Sequence, residues 1–297
     1  MKSFFKLLAK SLLVALVYAF TLALAGLLVS LSGLGLPAVK DPMTKLLWSL
    51  VGGFIMGLSL GLIAASMPAG RWRHVLVWSI LVFFNLASVA IEGSFFAPDL
   101  IGNALPGLFI QQALAALAVG GVVTALFAPA GTIPSAPAAH RSPFSWAWRF
   151  VLSALVYVVF YFIFGGINYA LVTRPYYAAH AGGLTVPAAQ VTLQAEVIRG
   201  VLIALSVLPF LLTIRAGRGR LAMLTGIILF AIGGLVPLTM QVGALPIILL
   251  AASAVEIFFQ NFLTGVVVSR LLGRANAHDR GTVEIKTSDL LAREELN

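Results

Sequence analysis

The sequence contains no cysteine and few charged residues. Cysteine is absent from all 297 residues, and only 10% of the residues are charged. The absence of cysteine excludes disulfides, thiol nucleophiles and cysteine-ligated metal sites. The scarcity of charge, together with 60% hydrophobic residues and a mean hydropathy of +1.03, excludes a single soluble globule. The lipid bilayer is therefore the expected solvent of this chain.

Several motifs that carry chemistry are also missing. The sequence has no P-loop, no HExxH pair, no glycine-rich dinucleotide fingerprint and no paired glutamates typical of CAAX-type intramembrane proteases. Its four histidines are scattered, and no apolar stretch contains two of them, so haem or di-metal ligation within the membrane is not expected. We expect no cofactor and no metal site.

Eight apolar stretches are long enough to cross about 30 Å of hydrocarbon as helices. We therefore predict an all-α, polytopic integral membrane protein with eight transmembrane helices. The predicted spans cover residues 8–31, 46–67, 74–94, 104–127, 147–170, 194–214, 221–241 and 244–270.

The net charge of +9 is explained by topology rather than by nucleic acid. If the N-terminus is cytoplasmic, 15 of the 19 lysines and arginines lie on the cytoplasmic side, and the others are Lys40, Lys45, Arg174 and Arg199. This asymmetry follows the positive-inside rule. We expect a bacterial-type plasma membrane, with both termini in the cytoplasm and no nucleic-acid partner.

The chain shows signs of an internal duplication. Residues 13–18 (LVALVY) recur as residues 152–157 (LSALVY), and the turn at 69–73 resembles the turn at 216–220. Each half supplies four spans, so the halves are expected to be parallel repeats related by an axis along the membrane normal. An alignment of the last spans places Gln112 opposite Glu256.

This organisation predicts four segments. Residues 1–127 form the first four-helix repeat, and residues 128–146 form a Pro/Ala-rich cytoplasmic linker. Residues 147–272 form the second repeat. Residues 273–297 form a polar cytoplasmic tail, in which residues 287–295 are predicted to make a short amphipathic helix.

A stripe of small residues runs along the second span. Gly53, Gly57 and Gly61 recur every four residues, which lets two helix backbones approach closely. The same segment contains the pattern G-x-S-x-G around Ser59, but a serine nucleophile needs a strand-to-helix turn and a nearby base. Both are missing here, so we interpret the stripe as a helix-packing surface.

Charged side chains inside the spans are the best candidates for a site. A charge at the centre of a membrane helix costs about 3 kcal/mol on insertion scales, so Glu256 must be protonated or paired. Glu256 lies about 21 Å from Arg270 along its helix, and Arg199 lies about 24 Å from Arg215, so their depths are similar. We predict that Arg199 pairs with Glu256. The candidate intramembrane polar site consists of Glu256, Arg199, Glu196, Gln112 and Glu92.

Three classes of function remain open on this sequence. A permease or transport-related protein for an unknown small substrate is favoured by the repeat and by the intramembrane polar residues. A non-catalytic subunit or scaffold that packs against other membrane subunits is favoured by how few polar residues lie in the spans. An intramembrane enzyme acting on lipid would need acid–base chemistry from Glu256 and Arg199 alone.

Overall fold

The protein folds as a bundle of eight long helices in a computed structural model that describes residues 2–38, 41–129, 141–214 and 216–273. All eight are long and apolar enough to cross a membrane, as the sequence predicts. The helices are α1 (Lys2–Leu31), α2 (Pro42–Ala64), α3 (Arg71–Phe96), α4 (Leu105–Phe127), α5 (Pro143–Ala178), α6 (Ala189–Thr213), α7 (Arg218–Thr239) and α8 (Ile247–Leu272).

Helix α5 is longer than its predicted span of 147–170. It begins at Pro143, where Ser142 accepts a hydrogen bond from the Ser145 amide, so the last residues of the predicted linker belong to the helix. At its other end it continues to Ala178 through two π-helical segments, Tyr161–Gly165 and Tyr169–Thr173. Because π turns widen the helix, α5 fits more residues into the same rise.

Only the edges of the linker and tail lie within the described residues. The predicted amphipathic helix at 287–295 lies outside them. Near the linker edge, Arg141 donates to the Gly273 carbonyl at 2.7 Å and Arg149 donates to the Leu271 carbonyl at 3.0 Å. These arginines satisfy free carbonyls at the C-terminal end of α8, where positive charge is favourable.

The helix contacts divide the bundle into two halves, α1–α4 and α5–α8. Within the first half, α1 packs on α2 and α4, and α3 packs on α4. Within the second half, α5 packs on α6 and α8, and α7 packs on α8. The halves meet where α3 packs on α6 and α2 packs on α7.

Burial follows this arrangement. In the most apolar 18-residue stretch of α7, 72% of the residues are buried, compared with 22% in α5 and 28% in α8. Large apolar side chains such as Phe162 and Ile163 on α5 point outward, where lipid replaces protein as the apolar neighbour. The interior is filled by large side chains that include Trp78, Tyr18, Tyr157 and Phe210.

Candidate functional site

An ion pair joins the two halves. Arg199 on α6 places its Nη1 atom 2.7 Å from Oε1 of Glu92 on α3. The same nitrogen lies 2.9 Å from Oε2 of Glu196, one turn earlier on α6. Glu196 is fully buried and Arg199 is only 6% exposed, whereas the Glu92 side chain is 25% exposed. One guanidinium therefore holds two carboxylates at the junction between α3 and α6.

The sequence positions these groups at compatible depths. Glu92 lies four residues before the end of α3, about 6 Å along the helix axis, and Arg199 lies ten residues after the start of α6, about 15 Å. Side chains on a helix lean toward its N-terminus, so the long Arg199 side chain reaches outward to the level of Glu92. The spacing of Glu196 and Arg199 places both on one face of α6.

Two tyrosines of α5 surround the guanidinium. The Arg199 Cζ atom lies 5.3 Å from the centre of the Tyr157 ring and 6.0 Å from the centre of the Tyr161 ring. A cation over an aromatic face is stabilised by the ring quadrupole, and the effect is larger where water is excluded. These rings complete the enclosure of Arg199 on the side that the carboxylates leave open.

One donor in this enclosure has no acceptor. The Nε atom of Arg199 is buried and has no hydrogen-bond partner. Buried donors are nearly always satisfied in folded proteins, and leaving one unpaired costs about 1–3 kcal/mol. The guanidinium therefore has an unused edge that can accept a further oxygen ligand.

Glu256 does not pair with Arg199, which corrects the predicted ion pair. Its Oε2 atom instead accepts a hydrogen bond of 2.5 Å from Nδ2 of Asn168 on α5. Gly165, in the first π-helical segment, makes room for this carboxyl, because a Cβ atom there would lie only 3.1 Å from Oε1 of Glu256. Glu256 lies on the face of α8 that packs against α5. The depth of a residue in the membrane does not reveal which face of its helix it occupies.

Glu256 nevertheless belongs to the same electrostatic neighbourhood. Its charge interacts with those of Glu92 and Arg199, and Tyr161 interacts with all three. Tyr177, near the outer end of α5, interacts with Glu92 and Glu256. We call the set of Glu92, Glu196, Arg199 and Glu256 the charged cluster.

Aromatic residues and a loop pack against the end of α3 that follows Glu92. The Tyr177 ring contacts the rings of Phe96 and Tyr169, at centroid distances of 6.3 and 5.8 Å. The amide of Thr185, in the loop between α5 and α6, donates to the Phe96 carbonyl at 2.8 Å. This loop is therefore attached to the end of α3, four residues beyond Glu92.

The remaining predicted residues lie elsewhere. Gln112 is on α4, within the first half, and the structure does not bring it to the charged cluster; its Oε1 atom is buried without a partner. A Cβ atom on Gly53 would lie 2.7 Å from Cα of Ala15, and one on Gly57 would lie 2.6 Å from Cα of Ser11. Gly61 instead contacts the Phe127 ring of α4. Thus the first two glycines face α1 and the third faces α4.

A second polar group lies deeper in the junction between the halves. Asn85 on α3 donates from Nδ2 to Oγ of Ser206 on α6 at 2.9 Å. Gly233 on α7 approaches the Asn85 side chain so closely that a Cβ atom there would lie 2.5 Å from Oδ1. Asn261 on α8 donates to the Leu229 carbonyl of α7 at 3.1 Å. These bonds connect helices across and within the halves.

Four residues of this region were not predicted from the sequence: Asn168, Gly165, Tyr157 and Tyr161. An amide in the middle of an otherwise apolar span was a usable signal for Asn168. Tyr157 lies in the repeated segment 152–157, but repetition alone does not indicate a role beside an arginine. The signal for Gly165 and Tyr161 is weaker, because π turns have no clear sequence pattern.

The charged cluster is not a metal-binding group, and two cavities in the described part of the chain lie elsewhere. No group of three or more histidine, aspartate or glutamate side chains there is arranged to hold a metal ion. Two open cavities of about 400 and 300 Å³ lie away from the charged cluster, the first beside Arg71 and Thr124 and the second beside Trp48 and Leu235.

Comparison with known proteins adds no further identification. The chain matches no protein-family model, no curated protein and no solved structure.

Proposed function

We propose that this chain is a transport protein of a bacterial-type plasma membrane, with the charged cluster as its intramembrane site. The observation that carries the proposal is the ion pair between Arg199 and Glu92, which connects the two halves at their junction. Charged groups inside a membrane protein are costly and usually mark ion or substrate pathways. In transporters such groups lie between two structural repeats that move against each other.

The proposal includes an internal duplication, with α1–α4 equivalent to α5–α8. Its first support is the pattern of helix contacts. The pairs α1/α2, α3/α4 and α1/α4 of the first half correspond to α5/α6, α7/α8 and α5/α8 of the second. Between the halves, the α3/α6 contact corresponds to the α7/α2 contact when each helix is replaced by its equivalent in the other half. Such correspondence is what a pseudo-two-fold axis along the membrane normal produces.

Equivalent residues also make equivalent contacts. Gly53 lies against the backbone of Ala15, and its aligned position Gly200 lies against the backbone of Ala154, which is aligned with Ala15. Both pairs place a glycine of the second helix of a half against an alanine of the first. Because close backbone approach needs small residues on both sides, coincidence of both pairs favours duplication.

These contacts refine the alignment near Glu256. Gly26 on α1 lies against the side chain of Gln111, just as Gly165 on α5 lies against Glu256. This equivalence favours Gln111 as the counterpart of Glu256, one residue from the predicted Gln112. The first half would then carry a neutral amide where the second half carries an acid.

The natural absence of cysteine allows a direct test by single-cysteine labelling. Ser206 is fully buried at the junction between the halves, so a transporter that opens there exposes it transiently. We expect Ser206→Cys to react slowly with a membrane-impermeant maleimide, on cells or on inverted vesicles, and to react at a different rate when Glu92→Gln removes the ion pair.

The matched control is Thr225→Cys. Thr225 is equally buried but lies at the α7–α8 contact inside the second half, so it should stay unreactive throughout. Trp72, which is 81% exposed in the first turn of α3, provides the positive control and tests orientation. Trp72→Cys should react from the cytoplasmic side alone. A fully unreactive Ser206→Cys beside a reactive Trp72→Cys contradicts the transport proposal.

A non-catalytic scaffold of a larger membrane complex is the second candidate. It is favoured by the tight contact between α1 and α2, where Gly53 and Gly57 leave no space for even a methyl group. A scaffold predicts that the buried junction stays closed in every condition. Purification in mild detergent would then recover the chain with stoichiometric membrane partners, which a free-standing transporter does not require.

A further inference from the structure

We propose that Glu256 binds the coupling ion of this transporter and that the ion is a proton, which Glu256 exchanges by moving between Asn168 and the unused edge of Arg199. This inference rests on the proposed transport function. It is carried by the composition of the charged cluster, by the unpartnered Arg199 donor and by the separate position of Glu256.

The charge balance of the cluster calls for positive charge. Three carboxyl groups, those of Glu92, Glu196 and Glu256, lie near one guanidinium, that of Arg199. With all groups ionised the cluster carries two net negative charges inside the membrane, where unpaired charge is costly. Since Glu92 and Glu196 are bonded directly to Arg199, Glu256 is the carboxyl left without a cationic partner.

A proton fits this place better than a metal ion. The three carboxyls do not converge on one point, and no metal-binding group of acids and histidines is present in the described residues. Arg199 lies among them and would repel a metal cation. Neither of the two cavities described above reaches the cluster, and a proton needs no cavity.

The unpartnered Nε atom of Arg199 provides the second position for the carboxyl. It is a buried donor in a side chain that is only 8% exposed, and an oxygen acceptor is needed to satisfy it. Tyr161 contacts the guanidinium with its ring and interacts electrostatically with Glu256, so it neighbours both groups. An ionised Glu256 is drawn toward Arg199, whereas a neutral one has no reason to leave Asn168.

The exchange is a simple proton equilibrium. A proton binds to one carboxylate oxygen of Glu256 and forms a neutral carboxylic acid, and it leaves to water as only that O–H bond breaks. The groups that face Glu256 and set this equilibrium are Asn168, Tyr161 and Tyr177 on α5, Glu92 on α3 and Arg199 on α6. Glu196 acts through Arg199, which it binds directly.

Infrared difference spectroscopy on the full chain in lipid nanodiscs tests the proposal. A protonated carboxyl gives a C=O stretching band that an ionised one lacks. We expect this band to disappear as the pH is raised and the proton leaves Glu256. The band should be missing in Glu256→Gln.

Asn168→Ala keeps the acid and guards against a misfolded Glu256→Gln. Asn168 holds the neutral carboxyl in this scheme, so its removal favours the ionised form beside Arg199, and the band should disappear at lower pH in this variant. Replacing potassium by sodium should leave the band unchanged. A sodium-dependent change would overturn the proton in favour of a metal cation, and a band that survives in Glu256→Gln would overturn the assignment to Glu256.

This test is separable from that of transport. If the band behaves as expected while Ser206→Cys stays closed, Glu256 binds a proton but the transport function fails. If Ser206→Cys opens and no band titrates, the transport function stands and the proton inference fails.

Discussion

The two junctions between the halves differ in charge although their helices pack alike. At the α3–α6 junction, Arg199 bridges Glu92 and Glu196. At the α2–α7 junction, alignment through the turns at 69–73 and 216–220 places Gly52 where the first junction has Arg199, with Thr239 in place of Glu92. Gly52 lies so close to Thr239 that a Cβ atom would be 2.8 Å from its Oγ1.

The same tyrosine position flanks both junctions. Tyr157 lies beside Arg199, and Tyr18, its counterpart in the repeated segment, lies 3.8 Å from a Cβ built on Gly52. Both tyrosines are fully buried. The packing is therefore similar at both junctions, whereas the charges are present at only one of them. The proposed function concerns the charged junction.

The largest expected effect comes from removing the arginine. Arg199→Met leaves the fully buried Glu196 without its cation, and breaking a buried ion pair in this way costs about 3–5 kcal/mol. Thr239→Val at the neutral junction removes only the hydroxyl bond to the Val236 carbonyl, at a cost of about 1 kcal/mol or less. Thermal unfolding in detergent, followed by size-exclusion chromatography, measures both variants.

If Thr239→Val lowers the stability as much as Arg199→Met does, the proposed difference between the two junctions is wrong. The triple variant Arg199→Met, Glu92→Gln and Glu196→Gln is a further test, because it removes the arginine and both of its carboxylate partners together. It should recover much of the lost stability.

Smaller and equal losses of stability are expected at the two positions where a glycine packs against an alanine of the preceding helix. Gly53→Ala and Gly200→Ala each force a methyl group against the backbone of α1 or α5, so each should destabilise by about 1–3 kcal/mol. Gly121→Ala on α4 is the control, since a Cβ there meets nothing within 4 Å. Melting temperatures of the three variants, measured side by side, check the prediction. Unequal losses at Gly53 and Gly200 would count against equivalent halves.

The smallest effect concerns the helix starts, where the halves differ again. Asp41 caps α2 by accepting hydrogen bonds from the amides of Met43 and Thr44, and the Thr44 hydroxyl donates to it as well. These bonds hold the pKa of Asp41 below its ordinary value. The aligned residue before α6, Ala188, provides no side-chain cap.

The sign of the pH effect follows from the lowered pKa. The contribution of Asp41 is present above the unfolded pKa of about 3.9 and is lost as the pH falls through the lower folded value. In acid, the Met43 and Thr44 amides should therefore lose protection against deuterium exchange, once their rates are corrected for the intrinsic pH dependence of exchange. The amides of Gln190 and Val191 at the start of α6 should keep their protection. Asp41→Ala should remove the pH dependence at α2, and a similar acid response at both helices contradicts this account.

The number and approximate bounds of the helices were predictable, but the contacts of the charged cluster were not. Eight runs of apolar residues longer than the bilayer requires leave little freedom in the fold. Counting residues also placed Glu256 and Arg199 at similar depth. Depth does not reveal which helices are neighbours or how each is rotated, so the sequence could not show that α3 brings Glu92 to Arg199 or that α8 turns Glu256 toward Asn168.

The extension of α5 escaped prediction for a related reason. Its π-helical segments and the edge-to-face contact of Tyr177 with Phe96 depend on packing with other helices, and no local pattern encodes them. The role of Gly165 depends on its contact with Glu256, which lies on another helix. The number of spans was therefore predictable from the sequence, whereas the site depends on tertiary contacts.

The proposed function requires that the halves move against each other under the control of the Arg199–Glu92 ion pair. Spin labels on Trp72→Cys and Gly219→Cys, at equivalent turns of the two halves, report this motion by double electron–electron resonance in nanodiscs. We expect two distance populations whose ratio shifts when Glu92→Gln breaks the pair. A single narrow distance, unchanged by Glu92→Gln, would contradict it.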